Sequence, residues 1–347
     1  MIERLRRLGA TLEEPLLVTN PVNVRYLIGF DSSNPALVVH PDGSARLFSD
    51  FRYAQAACAV EDVQFFETKR GLLKELSERL EGRIGFEADT LPYAEYQTLA
   101  EDGRLELVPR SRLVESLRAV KDESELASLR RACAITDRVY AHLAEVRFIG
   151  RSEAELAWRV EELFHEEGAD RAAFDIIVAA GANASKPHAT ASKRRIEAGE
   201  TVVVDAGGVF EGYTSDYTRT FATGPLPREL EEAYAVCLEA QQAALAGLHA
   251  GMTGVEGDAL AREVVERSRF AGTFGHGLGH GLGLEVHEAP RLSSESSDTL
   301  VAGNVVTVEP GIYLEGRGGI RIEDDVVIAN GGVENLSSFT KELIEVS

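Results

Sequence analysis

Four acidic residues in the second half of the chain stand where carboxylates are costly. Asp205 ends the run Val202-Val203-Val204, and Glu309 follows Val305-Val306-Thr307-Val308. Both runs read as buried strands, and a charge entering such a place must be paired or must bind a cation. Asp216 precedes Tyr217-Thr218, and Glu323 stands between Ile322 and the acidic pair Asp324-Asp325. Salt bridges to Arg219 and Arg321 would account for two of these acids at best. Three of the eight histidines, His276, His280 and His287, fall in residues 275–288, a segment whose five glycines permit close backbone approach. A lone histidine is more often a core or surface residue than a ligand. Three of them in a glycine-rich segment, beside four strand-end acids, favour a site.

The elements that would carry these acids come in two similar pieces. Residues 198–207 parallel residues 302–311: each is a glycine-led β run ending in an acid, and each is followed by a second acid-bearing strand, residues 215–223 and 319–329. Two such hairpins would converge across a pseudo-two-fold axis. Unrelated buried hairpins also share valine-rich runs, so the histidines weigh in the comparison. Helical patterns surround the repeat, over residues 124–147, from Ser152 onward, from Pro227 to His249 (stopped by Gly251), and from Val255 to about Arg269. Ser152 can cap its helix while Glu153 and Glu155 favour the positive end, and Leu156, Val160 and Leu163 fall on one face. Ahead of these, residues 23–29, 36–40 and 45–48 read as strands and residues 51–60 and 72–80 as helices, with a short strand at 83–86. That interleaving predicts an α/β domain with a mixed sheet. The charged stretch 119–125 marks the boundary, giving domains at 1–120 and 121–347.

Composition narrows the classes. A chain of 347 residues exceeds what one core ordinarily fills. A formal net charge of −21 argues against nucleic acid as a partner. Cys58, Cys133 and Cys237 are odd in number, with no CxxC spacing, which suits free thiols in a reducing compartment. Residues 1–20 lack the apolar core of a signal peptide, and no segment approaches the ~20 apolar residues of a membrane span. A cytoplasmic protein without a membrane partner is expected.

Taken together, the motifs resemble the creatinase/prolidase/aminopeptidase P family of pita-bread metallopeptidases, closest to Xaa-Pro dipeptidases and Xaa-Pro aminopeptidases. They are Asp205 with Asp216 in a D-x-G…S-D-x-T-R frame, the H-G-x-G-H-x-x-G-x-x-x-H-E block from His276, Glu309-Pro310-Gly311-Ile312-Tyr313, and Gly319-Ile320-Arg321-Ile322-Glu323-Asp324. They span the second domain in order, and Asn23-Val24-Arg25-Tyr26-Leu27-Ile28-Gly29-Phe30 is similar to the family's smaller N-terminal domain. The resemblance implies an α+β fold: a catalytic pita-bread domain with pseudo-two-fold sheet and flanking helices, behind an α/β creatinase-like domain. It implies two divalent ions per chain, with Asp216 and Glu323 bridging, Asp205 on one ion, and His280 and Glu309 on the other. Oxygen-rich coordination with one imidazole suits Mn²⁺ first, with Zn²⁺ or Co²⁺ as alternatives, and such a pair activates a water near neutral pH.

The resemblance also implies hydrolysis of the bond preceding proline. That bond is a tertiary amide without N–H and with φ fixed, which general peptidases handle poorly. Glu309 would move the proton, His287 would stabilise the tetrahedral intermediate or hold the substrate carbonyl, and His188 would contact the substrate; His276, Tyr313 and Arg321 are supporting positions on the substrate side. Arg291, in His287-Glu288-Ala289-Pro290-Arg291, matches an arginine of prolidases, and a guanidinium suits bidentate capture of a free carboxylate. Xaa-Pro dipeptidase activity is therefore expected ahead of aminopeptidase P activity on longer peptides. A silent peptide-binding module and a metal-free, creatinase-type hydrolase are rival readings, both disfavoured by the complete ligand set. Family analogy implies a homodimer.

Overall fold

Residues 23–29, which read as a strand, are helical. The helix is Pro21–Ile28, and its ends decide the matter. The Asn20 side chain accepts from the Val22 N–H, Pro21 occupies the first turn where its missing donor costs nothing, and Gly29 closes the helix at φ 67°. Asn23, Val24, Tyr26, Leu27 and Ile28 are all buried, so no polar face marks the helical period. The computed structural model describes residues 2–347 and divides into two compact units, Met1–Arg118 and Ala119–Ser347.

In the first unit the other expected elements form. The strands are Ala36–Val39, Ala45–Asp50 and Gly82–Glu87, and the helices are Ala54–Cys58 and Leu72–Arg79. One six-stranded sheet runs in the order Gln64–Thr68, Ala45–Asp50, Ala36–Val39, Leu16–Val18, Gly82–Glu87, Leu105–Arg110. It is mixed: Leu16–Val18 pairs parallel to Gly82–Glu87 and antiparallel to Ala36–Val39. Leu17, Val38, Phe48, Leu76, Ile84 and Leu99 fill its core.

The second unit contains the repeat. Tyr217–Ala222 lies antiparallel to Thr201–Ala206, with Thr218 opposite Asp205. Asp324–Ala329 lies antiparallel to Val305–Val308, with Asp324 opposite Val308. Residues 319–329, expected as one strand, are two. Gly318–Arg321 pairs with Gly311–Leu314 in a hairpin of its own, and the chain then breaks at Ile322–Glu323 before Asp324–Ala329. The break takes Glu323 out of the β ladder. The two halves are stitched where they meet: the Glu323 N–H donates to Thr218 O at 3.1 Å and the Thr220 hydroxyl to Arg321 O at 2.9 Å.

Each half is backed by a pair of helices. Glu123–Leu143 and Glu153–Glu166 both begin with capping boxes, Asp122 with Glu125 and Ser152 with Glu155. Their buried Val139, Tyr140, Leu156, Val160 and Leu163 pack on Val202, Val204 and Phe221. Arg228–Gly247 and Gly254–Glu266 bring Cys237, Ala240, Ala244 and Ala261 against Val306, Val308 and Ile320. Three helices end earlier than their patterns predict. The first stops at Leu143, after which Phe148 and Ile149 turn their N–H groups to Ser347 O; the third ends at Gly247 because Leu248 adopts extended backbone; the fourth ends at Glu266. This is the α+β, pita-bread architecture. Among the described residues no helix is long and apolar enough to cross a membrane.

Candidate metal centre

Five segments deliver the five proposed ligands. Asp205 is the penultimate residue of Thr201–Ala206, and Asp216 lies just before Tyr217–Ala222. Glu309 follows Val305–Val308, tied by its N–H to Leu278 O at 2.8 Å, and Glu323 occupies the break described above. His280 is the centre of the short strand Gly279–Gly281, threaded between Glu288–Leu292 and Val305–Val308. Only glycine fits on either side of it: a Cβ on Gly279 would lie 2.0 Å from Thr307 O, and one on Gly281 would lie 2.2 Å from Ala289 O. Thr307 joins two ligands, accepting from the His280 N–H at 3.1 Å and donating to Glu309 Oε1 at 3.3 Å.

The side chains meet. His280 Nε2 lies 3.5 Å from Glu309 Oε1 and 3.7 Å from Asp216 Oδ2, and ligand atoms of Asp216, His280 and Glu323 all fall within 4.8 Å of one another. Burial, and secondarily His287, holds the His280 pKa down to about 4, so the ring is neutral at pH 7. Its Nδ1 faces Gly281 O at 3.1 Å, and a carbonyl can only accept, so Nδ1 carries the proton. Nε2 therefore points a lone pair at carboxylate oxygens, an arrangement that a cation between them makes favourable.

The charge balance says the same. Asp205, Asp216, Glu309 and Glu323 share one buried pocket. Burial raises all four pKa values, that of Glu309 to about 8 and those of Asp216 and Glu323 well above the carboxylate range, where their neighbouring acids push further. Among the described residues, the buried cation that lines this pocket is Arg321, whose NH2 donates to Asp205 Oδ2 at 2.6 Å. Asp205 Oδ1 is buried with no hydrogen-bond partner among the described residues. A neutral imidazole lone pair, an orphaned carboxylate oxygen and three further buried acids fit divalent cations with oxygen and nitrogen ligands.

Arg321 is fully engaged around the ligands. Besides Asp205 it donates from Nε to Thr218 Oγ1 at 2.9 Å, and from NH1 to Tyr313 OH at 3.0 Å and Pro187 O at 3.1 Å. Because Tyr313 accepts from Arg321, its own proton goes to His276 Nε2, 2.9 Å away, while His276 Nδ1 faces Gly277 O at 2.8 Å. Burial keeps His276 neutral, with a pKa of about 4. Both of its ring nitrogens are thus occupied, and Tyr313, expected on the substrate side, is not among the residues lining the cavity.

The cavity has a volume of about 340 Å³. His188, His276, His287, Arg291 and Arg321 line it together with the five ligands. The His287 ring stands 4.3 Å from that of His280 at 48° between planes, and burial and Arg291 lower its pKa. Arg291 is exposed; its backbone N–H is held by Asp298 Oδ2, and among the described residues no carboxylate is paired with its guanidinium.

Sequence reasoning missed several contributors. Phe174, Val286 and Leu292 form apolar wall, and no periodicity flags them. Lys121 and Glu288 form a buried ion pair at 3.2 Å, with Glu288 Oε1 also accepting from the Glu285 N–H, so the loop carrying His287 is pinned at its base. Their partnership spans 167 residues of chain and has no local signal.

Comparison with known proteins identifies the family. Residues 3–120 match the creatinase/prolidase N-terminal domain and residues 127–330 match metallopeptidase family M24. The chain is 34% identical to an Xaa-Pro dipeptidase of Pyrococcus furiosus, across 99% of this chain and 100% of that one. Its structure superposes on an Xaa-Pro dipeptidase from Bacillus anthracis with a TM-score of 0.94 at 37% identity, covering 99% of each chain. It superposes on an X-Pro aminopeptidase from Thermotoga maritima with a TM-score of 0.88 at 33% identity, covering 94% of this chain and 97% of that one. The chain belongs to metallopeptidase family M24, a family that implies divalent metal ions.

Proposed function

We propose that the protein is an Xaa-Pro dipeptidase that uses two divalent ions, Mn²⁺ first among them. The observation that carries the dipeptide reading is Arg291: an exposed guanidinium on the wall of the ligand cavity, free of any carboxylate among the described residues, as capture of a substrate's C-terminal carboxylate requires. The Xaa-Pro dipeptidases similar over the full length support the same choice.

Asp205, Asp216, His280, Glu309 and Glu323 would hold the ions. When bound, the ions polarise the scissile carbonyl and lower the pKa of a water at the site. Glu309 takes the proton of the attacking water at Oε2, since Oε1 is engaged by Thr307, and delivers it to the departing proline nitrogen, which must leave as an amine. Neutral His287 donates an N–H to the carbonyl oxygen as charge develops on it. His188 holds the substrate, Arg291 pairs with its carboxylate, and Arg321 keeps Asp205 oriented while His276 and Tyr313 support the wall. A cytoplasmic homodimer acting on Xaa-Pro peptides completes the reading; the exposed free thiol of Cys58 is in keeping with a reducing compartment.

The resemblance to an X-Pro aminopeptidase structure favours a second reading, in which longer peptides are cleaved. Turnover of Ala-Pro and Ala-Pro-Ala by the Mn²⁺-loaded protein decides between them. The dipeptidase reading expects faster hydrolysis of Ala-Pro and a large loss on Arg291→Ala for that substrate alone. Faster turnover of the tripeptide, untouched by Arg291→Ala, would establish the aminopeptidase. A protein that binds no Mn²⁺ and cleaves neither would be a peptide-binding module.

A further inference from the structure

We propose that Thr218 and Asp325 are positioning residues: each half of the repeat uses the residue two places beyond its own metal-ligating acid to hold the acid of the other half. The proposal rests on the metal reading above and extends it to groups that touch no ion.

The geometry is reciprocal. Thr218 lies two residues after Asp216, and its hydroxyl is 2.6 Å from Glu323 Oε2. Asp325 lies two residues after Glu323, and its Oδ2 accepts the Asp216 N–H at 2.9 Å. Thr218, Asp325 and both acids they hold are buried. The direction of the Thr218 bond is determined by its other partner. Arg321 Nε, 2.9 Å from Thr218 Oγ1, can only donate, so the hydroxyl's single proton goes to Glu323. A threonine in a strand ordinarily finds a backbone carbonyl or water; this one is placed to donate to a ligand carboxylate and to fix which oxygen of Glu323 stays available.

Asp325 is the stronger indication. It is a fully buried acid with no cation paired to it among the described residues; its Oδ2 has the Asp216 N–H and the Cys133 thiol (3.4 Å), and its Oδ1 has no partner. What the side chain does is accept a hydrogen bond from the peptide N–H of Asp216, which sets the backbone from which that ligand projects. Its own N–H is anchored by Ser337 Oγ at 3.0 Å, so Asp325 cannot drift with Asp216. The two contacts cross the junction of the halves in opposite directions, and the pair of acids expected to bridge the ions are the two acids so held. Outer groups of this kind commonly orient ligands before the metal arrives.

The test is calorimetric titration of chelator-stripped protein with Mn²⁺, for wild type, Thr218→Val, Thr218→Ser, Asp325→Ala and Asp325→Asn, with thermal unfolding in chelator as a measure of fold. We expect Thr218→Val and Asp325→Ala to bind Mn²⁺ about 10–100-fold more weakly, while Thr218→Ser and Asp325→Asn, which keep the donor and the acceptor, stay within about threefold of wild type. Wild-type affinity in Thr218→Val, or an equal loss in Thr218→Ser, would overturn the proposal. Should Asp325→Ala fail to fold, the near-isosteric Thr218→Val decides alone. Absence of Mn²⁺ binding by wild type would instead overturn the metal reading itself, and is told apart by that control.

Discussion

Loading the stripped protein with metal should release protons, and the number can be worked from the site. Without ions, burial raises Glu309 to a pKa of about 8, so at pH 7 it is roughly nine-tenths protonated. Asp216 and Glu323 are raised well above the carboxylate range by burial and by their neighbouring acids, and add to the count. His280, held to about 4, is already neutral and contributes nothing. Ions bind the deprotonated carboxylates, so uptake of the pair at pH 7 should expel between about one and three protons. Titration calorimetry in buffers of different ionisation enthalpy measures this as a slope. The same protons make the apparent affinity rise with pH, about tenfold per unit for each proton released. Stability of the stripped protein should move the opposite way. A folded-state pKa of about 8 against an ordinary 4.5 means that the contribution from Glu309 is fully present below pH 4.5 and is lost as pH rises through 8. The stripped protein should therefore lose melting temperature from pH 5 to 9, and the Mn²⁺-loaded protein should not. Metal binding with no buffer dependence and no pH dependence would mean that the acids are ionised before the ions arrive, and the crowding inferred from the cavity would be wrong.

Three further outcomes follow from packing. Lys121→Met removes the cation from a pair whose side chains are 1% and 6% exposed and should destabilise the protein by about 3–5 kcal/mol in urea denaturation; a loss under about 1 kcal/mol would show that Glu288 is satisfied without it. Gly207→Ala would set a Cβ 1.8 Å from Ser215 O, displacing the backbone next to Asp216, and should cost about 1–3 kcal/mol and weaken Mn²⁺ binding, whereas Gly275→Ala, which meets nothing, should do neither. Leu156→Ala empties a fully buried position on the helix packed beneath the first hairpin and should cost about 2–5 kcal/mol, read as a lowered unfolding midpoint; an unchanged midpoint would contradict the packing described.

The parts of the site legible in the chain are those whose cost is local. A carboxylate closing a valine run is anomalous wherever the strand goes, because burying its charge is expensive in any fold; Asp205 and Glu309 could be singled out for that reason, and three histidines among alternating glycines for a similar one. Helices announced by a cap were also readable: Ser152 with Glu155 marks the start of Glu153–Glu166, and its buried stripe is Leu156, Val160 and Leu163. Where every face is buried the period vanishes, and Pro21–Ile28 passes for a strand although Asn20, Pro21 and Gly29 punctuate it as a helix. The break at Ile322–Glu323 was hidden for a related reason. Val326, Val327 and Ile328 continue the apolar character of Ile320 and Ile322, and what ends the first strand is the hairpin with Gly311–Leu314, a pairing partner that no window around Glu323 contains. The outer contacts were the least legible. A threonine in a strand and an aspartate in an acidic run are ordinary residues, and Thr218 becomes informative only when the fold carries Glu323, 105 residues away, to its hydroxyl. The ligands reveal themselves by what they cost, while the groups that aim them reveal themselves only by what they touch. For this reason Thr218→Val, which perturbs aim with little change in volume, is a sharper probe of this centre than removal of any ligand.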